Sequence, residues 1–134
     1  MMVNELRFHH IGIACHDIEV TKPFYVALGY VASETVKDPV QNIFICFLDK
    51  PGMPKLELLA PVDEQSPVNR TLTVSGVTPY HVCYEVEDLD ATIKELKDQR
   101  FVRVSKPAPA CAINSRRVCF LYNKDVGLIE LVEA

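Results

Sequence analysis

The sequence predicts an α+β fold made of two tandem βαβββ modules. Three observations carry that prediction: an internal repeat, apolar runs of period two, and two helical segments each opened by an aspartate. The stretch His10-Ile11-Gly12-Ile13-Ala14-Cys15-His16-Asp17-Ile18 resembles His81-Val82-Cys83-Tyr84-Glu85-Val86-Glu87-Asp88-Leu89, displaced by 71 residues. Ile45-Cys46-Phe47-Leu48 resembles Val118-Cys119-Phe120-Leu121, and Leu56-Glu57-Leu58-Leu59 resembles Ile129-Glu130-Leu131-Val132, both displaced by 73. The second half therefore carries two extra residues between its first and later anchors.

Each half opens with a strand, at 7–15 and 79–86. The helix that follows begins at Asp17 or Asp88, whose carboxylates can accept from open amides of the first turn. In the second half Leu89, Ile93 and Leu96 recur at helical spacing over 88–99. In the first half Ile18, Thr21, Phe24, Tyr25 and Leu28 do so less cleanly, and Gly29 supplies a stop. Pro23 lacks the amide that an interior helical position needs, so the first helix is expected to have an irregular first turn or to start near Thr21. Three strands should follow in each half: 30–37, 41–49 and 54–60, then 101–106, 116–122 and 127–132. Gly52 between Pro51 and Pro54 marks a turn. The modules span about 6–60 and about 79–134, with a linker of about 61–78 that has room for a short helix at 67–74.

Composition narrows the function classes. The 134 residues carry a net charge of −4, with Lys and Arg scattered, so no basic stripe points to nucleic acid. No apolar run approaches a membrane span, and the start MMVNELRFHH has no signal-peptide core. Five cysteines, with Cys46, Cys83 and Cys119 inside apolar strands, read as reduced, buried packing in the cytoplasm and not as a disulfide framework. No Cys-x-x-Cys pair offers a thiolate zinc site.

Strand parity singles out four polar residues, because successive side chains leave a strand on opposite faces. Ile11 and Ile13 share the face that suits packing under the helix, which leaves His10 opposite. Val82, Tyr84 and Val86 likewise leave His81 opposite; Leu56 and Leu58 leave Glu57; Ile129 and Leu131 leave Glu130. One His and one Glu per half thus fall on the helix-free face, at repeat-equivalent positions. Two imidazoles and two carboxylates form an N/O donor set suited to one divalent transition metal (Zn, Co, Ni, Mn or Fe), with open positions for substrate oxygens. A lone strand His is more often a hydrogen-bonded structural residue; agreement of all four in type, face and repeat position is what favours metal.

These residues resemble the vicinal oxygen chelate superfamily, which includes glyoxalase I, methylmalonyl-CoA epimerase, fosfomycin-resistance enzymes, extradiol dioxygenases and bleomycin-binding proteins. The likeness rests on His10-Ile-Gly-Ile-Ala, Phe24-Tyr25 before Leu28-Gly29, Leu56-Glu57-Leu58-Leu59-Ala60-Pro61, His81 within Tyr-His-Val-Cys-Tyr-Glu-Val-Glu-Asp-Leu, and Leu128-Ile-Glu130-Leu-Val. It implies a single domain over 1–134, with a curved eight-stranded sheet around a metal-binding groove, and a homodimer. The segment from Glu57 to Val68 and the tail look most like methylmalonyl-CoA epimerase. Two departures stand out. The segment before the seventh strand reads Ala112-Ile113-Asn114-Ser115-Arg116-Arg117 where epimerases often have Gly and His, and Ile45 stands where some place an extra carboxylate.

The resemblance implies proton abstraction next to a carbonyl or thioester, with the metal as Lewis acid and Glu130 as acid/base. Glu57 is then a ligand and a candidate partner on the opposite side. Arg116 and Arg117, with Lys106, are the candidate cations for a substrate carboxylate or phosphate, against the competing reading of solvated strand ends. Cys111 is the one thiol outside a strand pattern, and no neighbouring base is readable. The alternatives are a glyoxalase I-type lactoylglutathione lyase using the same residues, an extradiol dioxygenase, which the extra Glu57 argues against, and a metal-free drug-binding protein, which the absence of Trp argues against.

Overall fold

The computed structural model describes residues 5–134; residues 1–4, part of the segment read as lacking a signal-peptide core, lie outside the described residues. The chain divides into two compact units, His10–Tyr80 and His81–Ala134, the latter joined by the segment that ends at His9.

The unit His10–Tyr80 contains β1 (Arg7–Ala14, entering from the other unit), α1 (Ile18–Ala27), β2 (Val31–Ala32), β3 (Val36–Asp38), β4 (Ile43–Asp49), β5 (Leu56–Pro61) and α2 (Val68–Ser75). β4 lies between β2 and β5, antiparallel to both, and β1 runs parallel to β5. The other unit contains β6 (Thr78–Val86, which starts just before the division), α3 (Leu89–Asp98), β7 (Val102–Arg103), β8 (Ala108–Ala110), a 3-10 turn (Cys111–Ile113), β9 (Arg116–Asn123) and β10 (Gly127–Glu133). Here β6 and β10 run parallel, and β9 pairs antiparallel with β10 and β7. The repeat read from the sequence is thus a repeat of topology, in the mixed sheet and helix arrangement expected of the α+β class.

The core of each unit follows the predicted parity. Ile13, Cys15, Ile18, Cys46, Leu48, Leu58 and Ala60 are buried together under α1. Val86, Leu89, Ile93, Leu96, Cys119, Leu121, Ile129 and Leu131 do the same with α3. Burying such side chains at about 25 cal/mol per Å² of apolar surface is what fixes which face of each strand looks inward. Cys15, Cys46, Cys83 and Cys119 are buried, Cys111 is exposed, and no disulfide forms among the described residues.

The first helix begins at Ile18, directly after its cap Asp17 and with Pro23 inside it, which excludes the alternative start near Thr21. Its first turn carries a shared bond, the Val20 and Thr21 amides both donating to the Asp17 carbonyl at 3.1 Å. Asp17 caps it by accepting from the Glu19 amide at 2.9 Å, and the carbonyl that Pro23 cannot satisfy belongs to Glu19, an exposed residue on the solvent side. Its far end is closed by Lys50, whose Nζ donates to the Leu28 carbonyl at 2.7 Å beside Gly29 at φ 98°.

The second strand of each module is broken in two, which turns eight expected strands into ten among the described residues. At Ser33 the backbone amide donates to the Phe47 carbonyl at 2.8 Å, and the Phe47 amide donates to Ser33 Oγ at 2.9 Å. In the repeat, the Val104 amide donates to the Phe120 carbonyl at 2.8 Å and the Phe120 amide to Ser105 Oγ at 3.1 Å. A serine hydroxyl thus replaces a backbone carbonyl in each ladder, and the chain leaves the strand there. The thiols of Cys46 and Cys119 donate to the Ser33 and Ser105 carbonyls, each at 3.3 Å.

Candidate functional site

In the first unit, β1 presents His10 and β5 presents Glu57. Register pairs Ile11 with Leu56 and Gly12 with Glu57, so the apolar partners look toward α1 while His10 and Glu57 leave on the opposite face. His10 is 0 % exposed and Glu57 3 %. His10 Nε2 lies 3.2 Å from Glu57 Oε1. β4 adds Phe47 directly across from Glu57, its ring edge-on to His10 at 5.6 Å between centroids and 76° between planes.

The second unit builds the same group. His81 on β6 and Glu130 on β10 are buried, with Nε2 and Oε1 3.2 Å apart. Phe120 on β9 lies across from Glu130 and stands edge-on to His81 at 5.3 Å and 89°. Cys83 occupies the register position beside Glu130 that Gly12 occupies beside Glu57.

A carboxylate this deeply buried needs a cation or a donor close by, because taking an ionised group out of water costs several kcal/mol. A protonated imidazole or a metal ion supplies it. A His nitrogen and a Glu oxygen 3.2 Å apart suit two ligands of one ion at bond lengths of about 2.1 Å. Each of the four residues offers one buried ligand atom of a kind that could hold a metal ion. The donor set present therefore fits a divalent transition metal.

The sequence reading named all four of these residues and passed over the two phenylalanines. Their signal was visible: Phe47 and Phe120 are 73 residues apart, the same displacement as the glutamates. The serines behind them gave no such signal, since Ser33 and Ser105 are 72 apart and lie in no repeated motif. Ile45, where an extra carboxylate was looked for, is buried opposite Leu59.

Arg116 and Arg117 are engaged within their own unit. Arg116 Nε donates to the Glu133 carbonyl at 2.7 Å, and its guanidinium pairs with Glu85, which Arg7 also meets at 3.0 Å. Arg117 holds both carboxylate oxygens of Glu133 and Asp90 Oδ2, each at 3.0 Å. Glu133 also accepts from the Leu89 amide at 3.1 Å, at the start of α3. The Arg116 and Arg7 guanidiniums hold the Glu85 carboxyl below its ordinary range, and Arg117 with the Leu89 amide does the same for Glu133. Lys106 lies in the loop before β8, and Cys111 opens the 3-10 turn on the surface.

Residues 9–120 match the model of the Glyoxalase/Bleomycin resistance protein/Dioxygenase superfamily. The chain belongs to this superfamily. Within it, the chain is similar to the mitochondrial methylmalonyl-CoA epimerase of Mus musculus, at 33 % identity over 132 residues that cover 96 % of this chain and 73 % of that protein. The crystal structure of methylmalonyl-CoA epimerase from Mycobacterium tuberculosis superposes with a TM-score of 0.85 at 30 % identity, covering 99 % of this chain and 91 % of that one. A Streptomyces coelicolor methylmalonyl-CoA epimerase variant in complex with 2-nitronate-propionyl-CoA gives 0.82 at 31 % identity, covering 97 % and 99 %. Superfamily membership and the epimerase likeness expected from the motifs are therefore both borne out. Among the described residues no helix is long and apolar enough to cross a membrane.

Proposed function

We propose that the protein is a metal-dependent epimerase of the methylmalonyl-CoA type, which moves a proton on the carbon next to a thioester carbonyl. The observation that carries the reading is the twice-repeated buried His–Glu pair, in a chain similar over nearly its whole length to methylmalonyl-CoA epimerases. In this reading His10, Glu57, His81 and Glu130 hold one divalent transition metal in a single domain formed by both modules. When bound, the metal polarises the substrate carbonyl and stabilises the charge that develops on its oxygen.

The chain's own residues do the rest. The Glu130 carboxylate takes the α-proton: the C–H bond breaks, its electron pair moves toward the carbonyl, and an O–H bond forms on Glu130. A proton supplied by solvent through the Glu57 side gives the inverted centre, Glu130 then releasing the proton it took to solvent, and return of that proton from Glu130 gives the starting one. Phe47 and Phe120 fix the planes of the two imidazoles and keep water from their edges. Arg116 and Arg117 contact substrate only by exchanging the carboxylates they now hold. A glyoxalase I-type lyase would use the same side chains; relatives at about 30 % identity favour the epimerase. An exposed apolar row along α1 and its C-cap, Val20, Phe24 and Leu28, supports the homodimer, and the cysteine pattern supports a reducing compartment, which we read as the cytoplasm although the mouse relative is named mitochondrial.

The test is elemental analysis of the purified protein with His81→Ala and Glu130→Gln, coupled to α-proton exchange of methylmalonyl-CoA in deuterated water. About one metal per chain, reduced in both variants, together with exchange by the wild type, is the expected result. Absence of metal after reconstitution would leave ligand binding without chemistry as the reading.

A further inference from the structure

One cation of the first unit stands on the face of the candidate ligands and has no part in the reaction described above. Lys55 stands one residue before β5 and two before Glu57, and its backbone bond to Ile11 continues the β1–β5 ladder, so its side chain leaves on the same face, toward Phe47. Its carbonyl accepts from the Ile11 amide at 3.0 Å, which ties its backbone to β1 next to His10. The Nζ lies 5.0 Å from the centroid of Phe47, the ring that stands edge-on to His10 and across from Glu57. Glu57 is buried, whereas the Lys55 side chain is 36 % exposed, so its ammonium sits at the rim where this face opens to solvent.

The partner it now holds is one it can give up. Asp49 Oδ2 is 3.0 Å away and itself 60 % exposed, and an ion pair of this kind is screened by water and contributes little. Arg116 and Arg117, by contrast, are each held by two groups. In the second unit the repeat positions of Lys55 and Asp49 are Leu128 and Tyr122, an uncharged pair directly opposite each other in the β9–β10 register. A charge pair present in one half and replaced by uncharged residues in the other is not needed for the fold of the module.

We propose that Lys55 is the anion-binding residue of the substrate site, taking a carboxylate or phosphate oxygen of the acyl thioester. The proposal rests on the epimerase reading and adds the chemical class of the group that orients the substrate. Phe47 supports the ammonium from one side by cation–π attraction, leaving its other donors directed at the incoming anion.

The experiment compares wild type, Lys55→Leu and Lys55→Arg with two substrates, methylmalonyl-CoA and methylmalonyl-pantetheine, which lacks the phosphates. Lys55→Leu installs the residue of the second half, and thermal melting checks that it folds. The expected result is a KM raised about tenfold with kcat nearly unchanged, and recovery in Lys55→Arg. A loss confined to the CoA ester assigns a phosphate, and an equal loss with both substrates assigns the carboxylate. A KM unchanged with both substrates overturns the proposal. If the wild type turns over neither substrate, the epimerase reading fails separately, and calorimetric binding of coenzyme A and of malonate decides. Weaker binding of either by Lys55→Leu sustains the anion site, whereas equal affinity, or no binding to the wild type, removes it.

Discussion

The two halves of this chain agree where a buried polar pair has to be held and differ at its rim and supports. Both hold a histidine and a glutamate at 3.2 Å behind an edge-on phenylalanine, and in both a serine hydroxyl receives the amide of that phenylalanine. Around these sets the surroundings diverge. The first half places Lys55 and Asp49 at the rim and leaves an apolar row on α1; the second places Leu128 and Tyr122 there and ties its strand ends with Arg7, Arg116 and Arg117. The agreement marks what a buried His–Glu pair requires of each module. The differences mark where one module was free to take on a substrate contact and the other a structural clamp.

The largest effect expected from this comparison is catalytic. Glu130→Gln should lower kcat about 10³-fold, the range for loss of a positioned acid/base, while Glu57→Gln should fall clearly less. Steady-state kinetics on metal-replete protein checks this. Equal losses would mean that the halves share the proton transfer evenly.

A smaller and symmetric effect is expected at the serines. Ser33→Ala and Ser105→Ala each leave a phenylalanine amide without its acceptor, at a cost of about 1–2 kcal/mol, read by urea denaturation. A cost in one half only would show that the broken second strand is held by different forces in the two modules.

The smallest effect is a pH dependence of the second half that spares β1, α1 and β5; in the first unit the Asp63 carboxyl is also held low, by the Asn42 side chain and the Gln65 amide, but outside those elements. Glu85 and Glu133 have carboxyls held below their ordinary value of 4.5, so they bind protons less readily folded than unfolded. The stability they contribute is present above that value and is lost as pH falls below it and through their lowered folded values. Hydrogen exchange at pH 6 and pH 4 should show β6, α3 and β10 loosening before β1, α1 and β5. Parallel loosening of both units would tell against the arginine clamp as its cause.

The repeat, the module order, the helix caps at Asp17 and Asp88 and the four buried polar residues were all legible in the sequence. The reason is that strand parity and capping depend on neighbours within a few residues, and duplication states each pattern twice. The sequence left two starts open for α1, because the local penalty of Pro23 says nothing about whether the orphaned carbonyl meets water. Only the tertiary structure decided that Ser33 and Ser105 break the second strands, that Phe47 and Phe120 stand against the imidazoles, and that Arg116 and Arg117 turn to Glu85, Glu133 and Asp90. Those outcomes depend on which distant strand lies alongside and on where a long, flexible side chain finds its nearest opposite charge, and neither is encoded in residues adjacent in the chain.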